Sequence, residues 1–303
     1  MTRRELVVVP VAARALGAAQ RVDRTRISAI SDECANSPAE AIAFAKQYGL
    51  KWLELRGVPG SKQAYEAMPE PELRAAAREF SENGVRISFL DASLLKFGLP
   101  GTEPARRRPE SEEARARRLK QEAERFERRM EHLARAIRAA KVLGTDKLRI
   151  FTFSRVEEPA KLMPRLVEIL EPMVALAARE KVHLLVENEG SCNVATSAEL
   201  AELMKMVPSK WLGINWDPLN GTAFQEVPFL EGYRLLPPDR VGNVHIKGRS
   251  ILDYPQRLDW KAIFEAFTRD GYRGCFGLET HIFGPQLIES SHAAVKEILR
   301  IVG

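Results

Sequence analysis

The chain has 303 residues, 45% of them hydrophobic and 29% charged, with a formal net charge of +5 and a pI of about 9.1. This is an ordinary globular composition, long enough for a large core and in the size range of a single α/β barrel. The three cysteines, Cys34, Cys192 and Cys275, show no Cys-x-x-Cys spacing, so neither a disulfide framework nor a cysteine metal site is indicated, and no run of about 18 apolar residues marks a spanning helix.

Residues 1–22 read as a leader. Thr2-Arg3-Arg4-Glu5-Leu6 precedes an apolar stretch, Val7 to Ala13, and a small-residue end, Ala15 to Gln20. That outline is an export signal, and its paired arginines are of the twin-arginine type. Arg14 interrupts the apolar part and leaves open a plain leader on a cytoplasmic protein, so both cytoplasmic and exported locations fit.

Residues 23–303 alternate strands and helices. Arg26 to Ile30 is the first strand, and Ser37-Pro38 then caps a helix that runs to Tyr48 and stops at Gly49. Strand two is Lys51 to Leu55, followed by a helix from about Glu70 to Asn83. Strand three is Val85 to Leu90, ending at Asp91. Residues 97–112 form a loop rich in Gly, Pro and Arg. One long helix is expected from about Glu113 to Leu143, because Leu119, Phe126, Met130, Leu133 and Ile137 share one face. Strand four, Lys147 to Phe151, precedes a helix over Pro159 to Lys181. Strand five is His183 to Glu187, and its helix starts at Thr196 or Ser197. Strand six ends at Asp217 and strand seven near Lys247. A helix opens at Asp259-Trp260, strand eight ends at Glu279, and a last helix covers about Pro285 to Ile301. Eight strand–helix alternations without a linker imply one parallel sheet closed into a single (β/α)8 TIM barrel. No Gly-rich phosphate loop follows the first strand, so an open nucleotide-binding sheet has no support.

The last four strands share a feature. Each is a short apolar run closed by one metal-capable residue, in order Glu187, Asp217, His245 and Glu279. Charged groups at the ends of buried strands need a partner, because an isolated buried carboxylate costs several kcal/mol. Barrel closure brings all four to one face, where three carboxylates and an imidazole suit one divalent ion, Mn²⁺, Mg²⁺, Co²⁺ or Zn²⁺.

Over residues 26–300 the chain resembles the xylose-isomerase-like superfamily of sugar isomerases and epimerases. The resemblance rests on Val186-Glu187-Asn188, Asn215-Trp216-Asp217-Pro218, His245-Ile246-Lys247, and Gly271-Tyr272-Arg273-Gly274 leading into Leu278-Glu279, with Asp259-Trp260 in support. It implies that Glu187, Asp217, His245 and Glu279 bind one divalent metal. It also implies that Glu187 and Glu279 are catalytic, moving protons on either face of a small carbohydrate-like substrate through a metal-stabilised enediolate. Two carboxylates acting at one carbon give epimerisation, and one shuttling between carbons gives isomerisation. Relatives often carry His three residues after the metal-binding Asp; here that position is Asn220, which can hydrogen-bond a hydroxyl but cannot act as an acid. Asn220, Lys247, Glu54, Arg56 and His281 are the expected substrate contacts. Asp91, Arg155 and Glu189 are weaker candidates. His183, at the far end of strand five, is expected to be structural, and His132 and His292 to lie on helix surfaces. Homo-oligomers are common among relatives.

Three alternatives compete. The same base and metal could drive a dehydratase acting on a small hydroxy acid. A sugar-binding barrel without turnover is a second, which retention of both carboxylates opposes. The third is an endonuclease IV-like nuclease, prompted by the arginines from Arg106 to Arg129. Glutamates from Glu110 to Glu131 interleave with these at helical spacing, which reads as a salt-bridged solvated face rather than a phosphate track. A three-zinc cluster would also need more of the five histidines at the mouth than His245 and His281. Neither nucleic acid nor membrane is therefore expected as a partner.

Overall fold

The computed structural model describes residues 21–105 and 109–303. Residues 1–20, nearly all of the expected leader, and Arg106 to Arg108 lie outside the described residues. Among those described, no helix is long and apolar enough to cross a membrane.

Eight parallel strands form one sheet: β1 (Ile27–Ala29), β2 (Trp52–Leu55), β3 (Arg86–Leu94), β4 (Lys147–Ile150), β5 (His183–Glu187), β6 (Leu212–Trp216), β7 (Val241–Lys247) and β8 (Cys275–Glu279). Each pairs with its sequence neighbour from β2 to β8, and β8 returns to β1. The seam between β1 and β2 is closed by a single parallel bridge, Ile30 to Glu54. The architecture is thus the expected (β/α)8 barrel.

Among the described residues, eight helices of ten residues or more cover it: α1 (Pro38–Tyr48), α2 (Glu70–Glu82), α3 (Glu112–Glu127), α4 (Arg129–Leu143), α5 (Pro159–Glu180), α6 (Ser197–Met206), α7 (Trp260–Arg269) and α8 (Leu287–Val302). Local chemistry sets their ends. Ser37 caps α1, and Gly49 closes it with a left-handed φ of 65°. Thr196 and Glu199 form a reciprocal capping box on α6, a device that stabilises by about 1 kcal/mol. The single helix expected over 113–143 is two. Arg128 leaves helical geometry, with ψ near 5°, while the apolar spacing runs on unbroken across the joint.

The core lies between sheet and helices. Leu53, Leu148, Leu184, Ile214 and Val244 point outward from their strands into it and are fully buried. Inside the barrel polar residues are concentrated, beside Leu185 and Phe89. Glu54, Arg149, Asn215, Asn243 and His245 are all buried there; Glu54, Asn215, Asn243 and His245 contact one another across the lumen, and Arg149 joins them through Glu187, which also accepts from Asn215. Strand alternation explains the split, since inward and outward positions alternate along every barrel strand. Gly277 is required at its place on β8, because a Cβ there would collide with the Glu54 carboxylate.

Candidate metal centre

β5, β6, β7 and β8 end side by side, and their register places Lys247 opposite Glu279 and His245 opposite Gly277. One ligand atom from each of Glu187, Asp217, His245 and Glu279 lies within 4.8 Å of all the others. All four residues are buried. The four strand-end residues singled out in the sequence are therefore one cluster.

Asp217 is the most tightly placed. Its amide N–H donates to Asn188 Oδ1 at 2.8 Å, and Asn188 Nδ2 donates back to the Asp217 carbonyl at 2.8 Å. Its Oδ1 accepts the amides of Leu219 and Asn220 at the start of the short helix Pro218–Gly221. Oδ2 is buried and accepts no hydrogen bond; its nearest cation is Lys247 Nζ at 3.2 Å. Burial raises the carboxyl to about 6, with Lys247 only partly offsetting it.

His245 is held from beneath. Its Nε2 lies 2.9 Å from Glu54 Oε2, and Nδ1 faces the cluster, 3.3 Å from Glu279 Oε2 and 3.6 Å from Glu187 Oε2. Glu54 Oε1 accepts Ser28 Oγ at 2.7 Å and Asn243 Nδ2 at 3.2 Å. Burial works against a charged imidazole, but Glu187 and Glu54 outweigh it and raise His245 well above its ordinary value.

Each of the other two carboxylates meets a cation. Arg149 Nη1 lies 2.8 Å from Glu187 Oε2 and 3.3 Å from Asp91 Oδ1. Burial alone would raise Glu187; Arg149 and His245 reverse the sign and bring it to about 2. Lys247 Nζ lies 2.5 Å from Glu279 Oε2. Glu279, too, is desolvated, yet Lys247 holds it well below the usual carboxylate range. Asp91 accepts no hydrogen bond on either oxygen, and its burial, partly offset by Arg149, raises it.

The expected substrate contacts fall in three places. Arg56, 26% exposed, reaches Asp32, Glu33 and, at 3.5 Å, Glu279 Oε1. His281 lies beside it at a φ of 49°, its N–H on Glu33 Oε2 and its Nδ1 3.5 Å from Glu279 Oε1. These two rim the cluster, whereas Lys247 is buried within it. Glu54 does not reach the rim, being wholly buried one layer below. Asn220 donates its Nδ2 to the Asn188 carbonyl at 2.8 Å, so its amide is engaged in holding the loop. Arg155 and Glu189 belong to the loops: Arg155 ties Glu199 to the carbonyls of Cys192 and Asn193, and Glu189 pairs with Lys96. A cavity of about 780 Å³ opens over these loops, lined by Ser154, Arg155, Gly190, Ser191 and Phe224 among others; the four cluster residues do not line it.

His183 is structural, stacked on Trp211 at 4.7 Å with Nδ1 3.1 Å from the Lys210 carbonyl. His292, read as a surface residue, is half-buried instead. Phe44 packs against its ring, and its Nδ1 lies 2.7 Å from the Tyr48 hydroxyl. His132 and Cys275 are likewise half-buried. Arg149, Asn215, Asn243 and Glu33 were not anticipated. Arg149 and Asn215 had one signal available, a polar side chain between two apolar neighbours in a strand.

A family model described as a xylose isomerase-like TIM barrel matches residues 42–300. A search of curated proteins finds no match. Solved structures share the fold. One is the apo 3-keto-D-glucoside 4-epimerase of E. coli, with 15% identity, 91% of this chain and 98% of that chain covered, and a TM-score of 0.65. Another is the probable 3-DHS dehydratase of Bacillus anthracis, with 17% identity, coverage of 90% and 98%, and a TM-score of 0.64. A third is a xylose isomerase-like barrel from Mycobacterium smegmatis in complex with magnesium, with 14% identity, coverage of 93% and 100%, and a TM-score of 0.63. At these identities the likeness is one of fold.

Proposed function

The chain belongs to the xylose isomerase-like TIM barrel family, and from that premise we propose that it is a divalent-metal-dependent sugar isomerase or epimerase. The observation that carries this reading is the convergence of Glu187, Asp217, His245 and Glu279 within 4.8 Å at the C-terminal strand ends.

The residues fit a divalent ion. Asp217 Oδ2 is a buried oxygen without a hydrogen bond, aimed into the cluster, and a full set of three carboxylates and one imidazole is a donor set that Mn²⁺, Mg²⁺, Co²⁺ and Zn²⁺ all accept. Glu187, Asp217, Glu279 and His245 through Nδ1 would hold it. When bound, the ion stabilises negative charge on a substrate oxygen as a Lewis acid. Glu54 orients the imidazole through Nε2, the usual arrangement behind a metal-binding His. Glu187 and Glu279 come from β5 and β8 on two sides of the cluster, and both are ionised at neutral pH, the form in which a carboxylate can take a proton from carbon. Arg56 and His281 stand at the rim to receive the substrate's hydroxyl or acidic groups.

The test pairs metal analysis with isotope exchange. Purified protein should carry about one equivalent of Mn, Co, Zn or Mg, lost in Asp217→Ala, and should introduce deuterium from D₂O into a ketose or aldose. Wild-type protein that takes up no metal after reconstitution overturns the reading. Loss of water from a hydroxy acid without exchange into sugars assigns the same residues to a dehydratase.

A further inference from the structure

We propose that Lys247 is a resident cation that competes with the metal ion for its own ligands and so sets how tightly the site is loaded. This rests on the metal reading above.

The argument is one of shared atoms. Asp217 Oδ1 is committed to the amides of Leu219 and Asn220, so Oδ2 is the oxygen left for a cation. Glu279 Oε1 faces Arg56 and His281, at 3.5 Å each, while Oε2 faces His245 Nδ1 at 3.3 Å. The oxygens turned toward the cluster are therefore Asp217 Oδ2 and Glu279 Oε2. Lys247 Nζ lies on these two, at 3.2 Å and 2.5 Å. An ion bound to both oxygens and an ammonium bound to both claim the same space and the same negative charge.

Lys247 is itself buried, and these two carboxylates are its only ionic partners among the described residues. In its place they hold together two like charges that would otherwise repel at close range in a poorly solvated site. Metal entry must turn the ammonium away, toward the rim, and that displacement is subtracted from the binding free energy. The protein therefore gains an assembled, charge-balanced site before metal arrives and loses affinity for the metal in return. Arg149 differs in geometry: it touches one member of the set, Glu187 at Oε2, and its other partners are Asp91 and the carbonyls of Asp91 and Ala92, so it does not span two ligands as Lys247 does.

The experiment compares full-length wild type with Lys247→Met, Lys247→Gln and Lys247→Arg, each stripped of metal and titrated with Mn²⁺ by calorimetry, with thermal unfolding followed at each metal concentration. The neutral variants should bind Mn²⁺ at least ten-fold more tightly than wild type, unfold at lower temperature without metal, and show the larger metal-induced rise. The Arg variant keeps the charge and should stay close to wild type. If Lys247→Met folds only when Mn²⁺ is present, that rescue is the same result in stronger form. Equal or weaker Mn²⁺ binding in both neutral variants overturns the proposal while leaving the metal site intact. No Mn²⁺ binding by any of the four proteins instead overturns the metal reading on which it rests.

Discussion

At the N-terminal end of the barrel, cations meet neutral oxygens; at the C-terminal end they meet carboxylates. Below, Arg26 donates to the carbonyls of Gly274 and Tyr272 at 2.7 and 2.9 Å, and Arg240 to those of Leu212 and Val207 at 2.8 and 3.0 Å. Above, Arg149 meets Glu187 and Asp91, and Lys247 meets Glu279 and Asp217. The electrostatic consequence has opposite signs. Burial lowers Arg240, because carbonyls do not repay it, whereas at Arg149 the carboxylates outweigh a far deeper burial and raise it. The lower end is held by independent bonds that can be removed singly. At the upper end each charge depends on its neighbours.

The strongest way to break this contrast is at the carboxylates. Glu187→Gln and Glu279→Gln should each lower deuterium exchange by about 10²- to 10⁴-fold, the usual contribution of a positioned acid or base. A variant that keeps wild-type exchange would remove that residue from the chemistry. Next comes Arg149→Met. It strands Glu187 and Asp91 in the lumen, and breaking a buried pair from one side costs roughly 3–5 kcal/mol, which urea unfolding would measure. A loss under about 1 kcal/mol would show that the upper charges are not interdependent. Glu54→Gln probes the layer between. It should weaken Mn²⁺ binding by about 10- to 100-fold, as loss of a partner behind a metal-binding His does, and leave the far-ultraviolet spectrum unchanged. The smallest effect is expected from Arg26→Met at the lower end, about 1–3 kcal/mol of stability for its charged hydrogen bonds, with metal affinity as in wild type.

The upper and lower ends were not equally legible in the sequence. The four strand-end residues stood out because each closes an apolar run, and one strand can be read without its neighbours. Arg149 and Glu54 are flanked by apolar residues too, Leu148 and Ile150 in one case and Leu53 and Leu55 in the other. Their partners, however, lie on other strands, and Glu54 is separated from His245 by 191 positions. Nothing local shows that Gly277 clears space for a carboxylate on the opposite side of the seam. Burial assigns Glu54 its place beneath the imidazole, and burial is a property of the closed barrel. The break at Arg128 was hidden for a different reason. Helical periodicity continues through it, so one residue outside helical geometry leaves the apolar pattern untouched. His292 was misread because its partners, Phe44 and Tyr48, come from α1, the far terminus of the chain.

The single bridge at the seam has a kinetic meaning. Ladder pairing between β1 and β2 amounts to Ile30 and Glu54 alone, so side chains carry the seam: Glu54 grips Ser28 on β1 and Asn243 and His245 on β7 inside the lumen, and Arg56 reaches Asp32 and Glu33 beyond the strand ends. Contacts that span most of the chain carry the largest loop-closure cost and form late in folding. Closure of this barrel therefore waits on the C-terminal strands, and in pulse-labelled refolding the amides of β1, whose ladder is with β8, should gain protection together with the strand that carries the metal-site histidine, after β4 and β5 have paired.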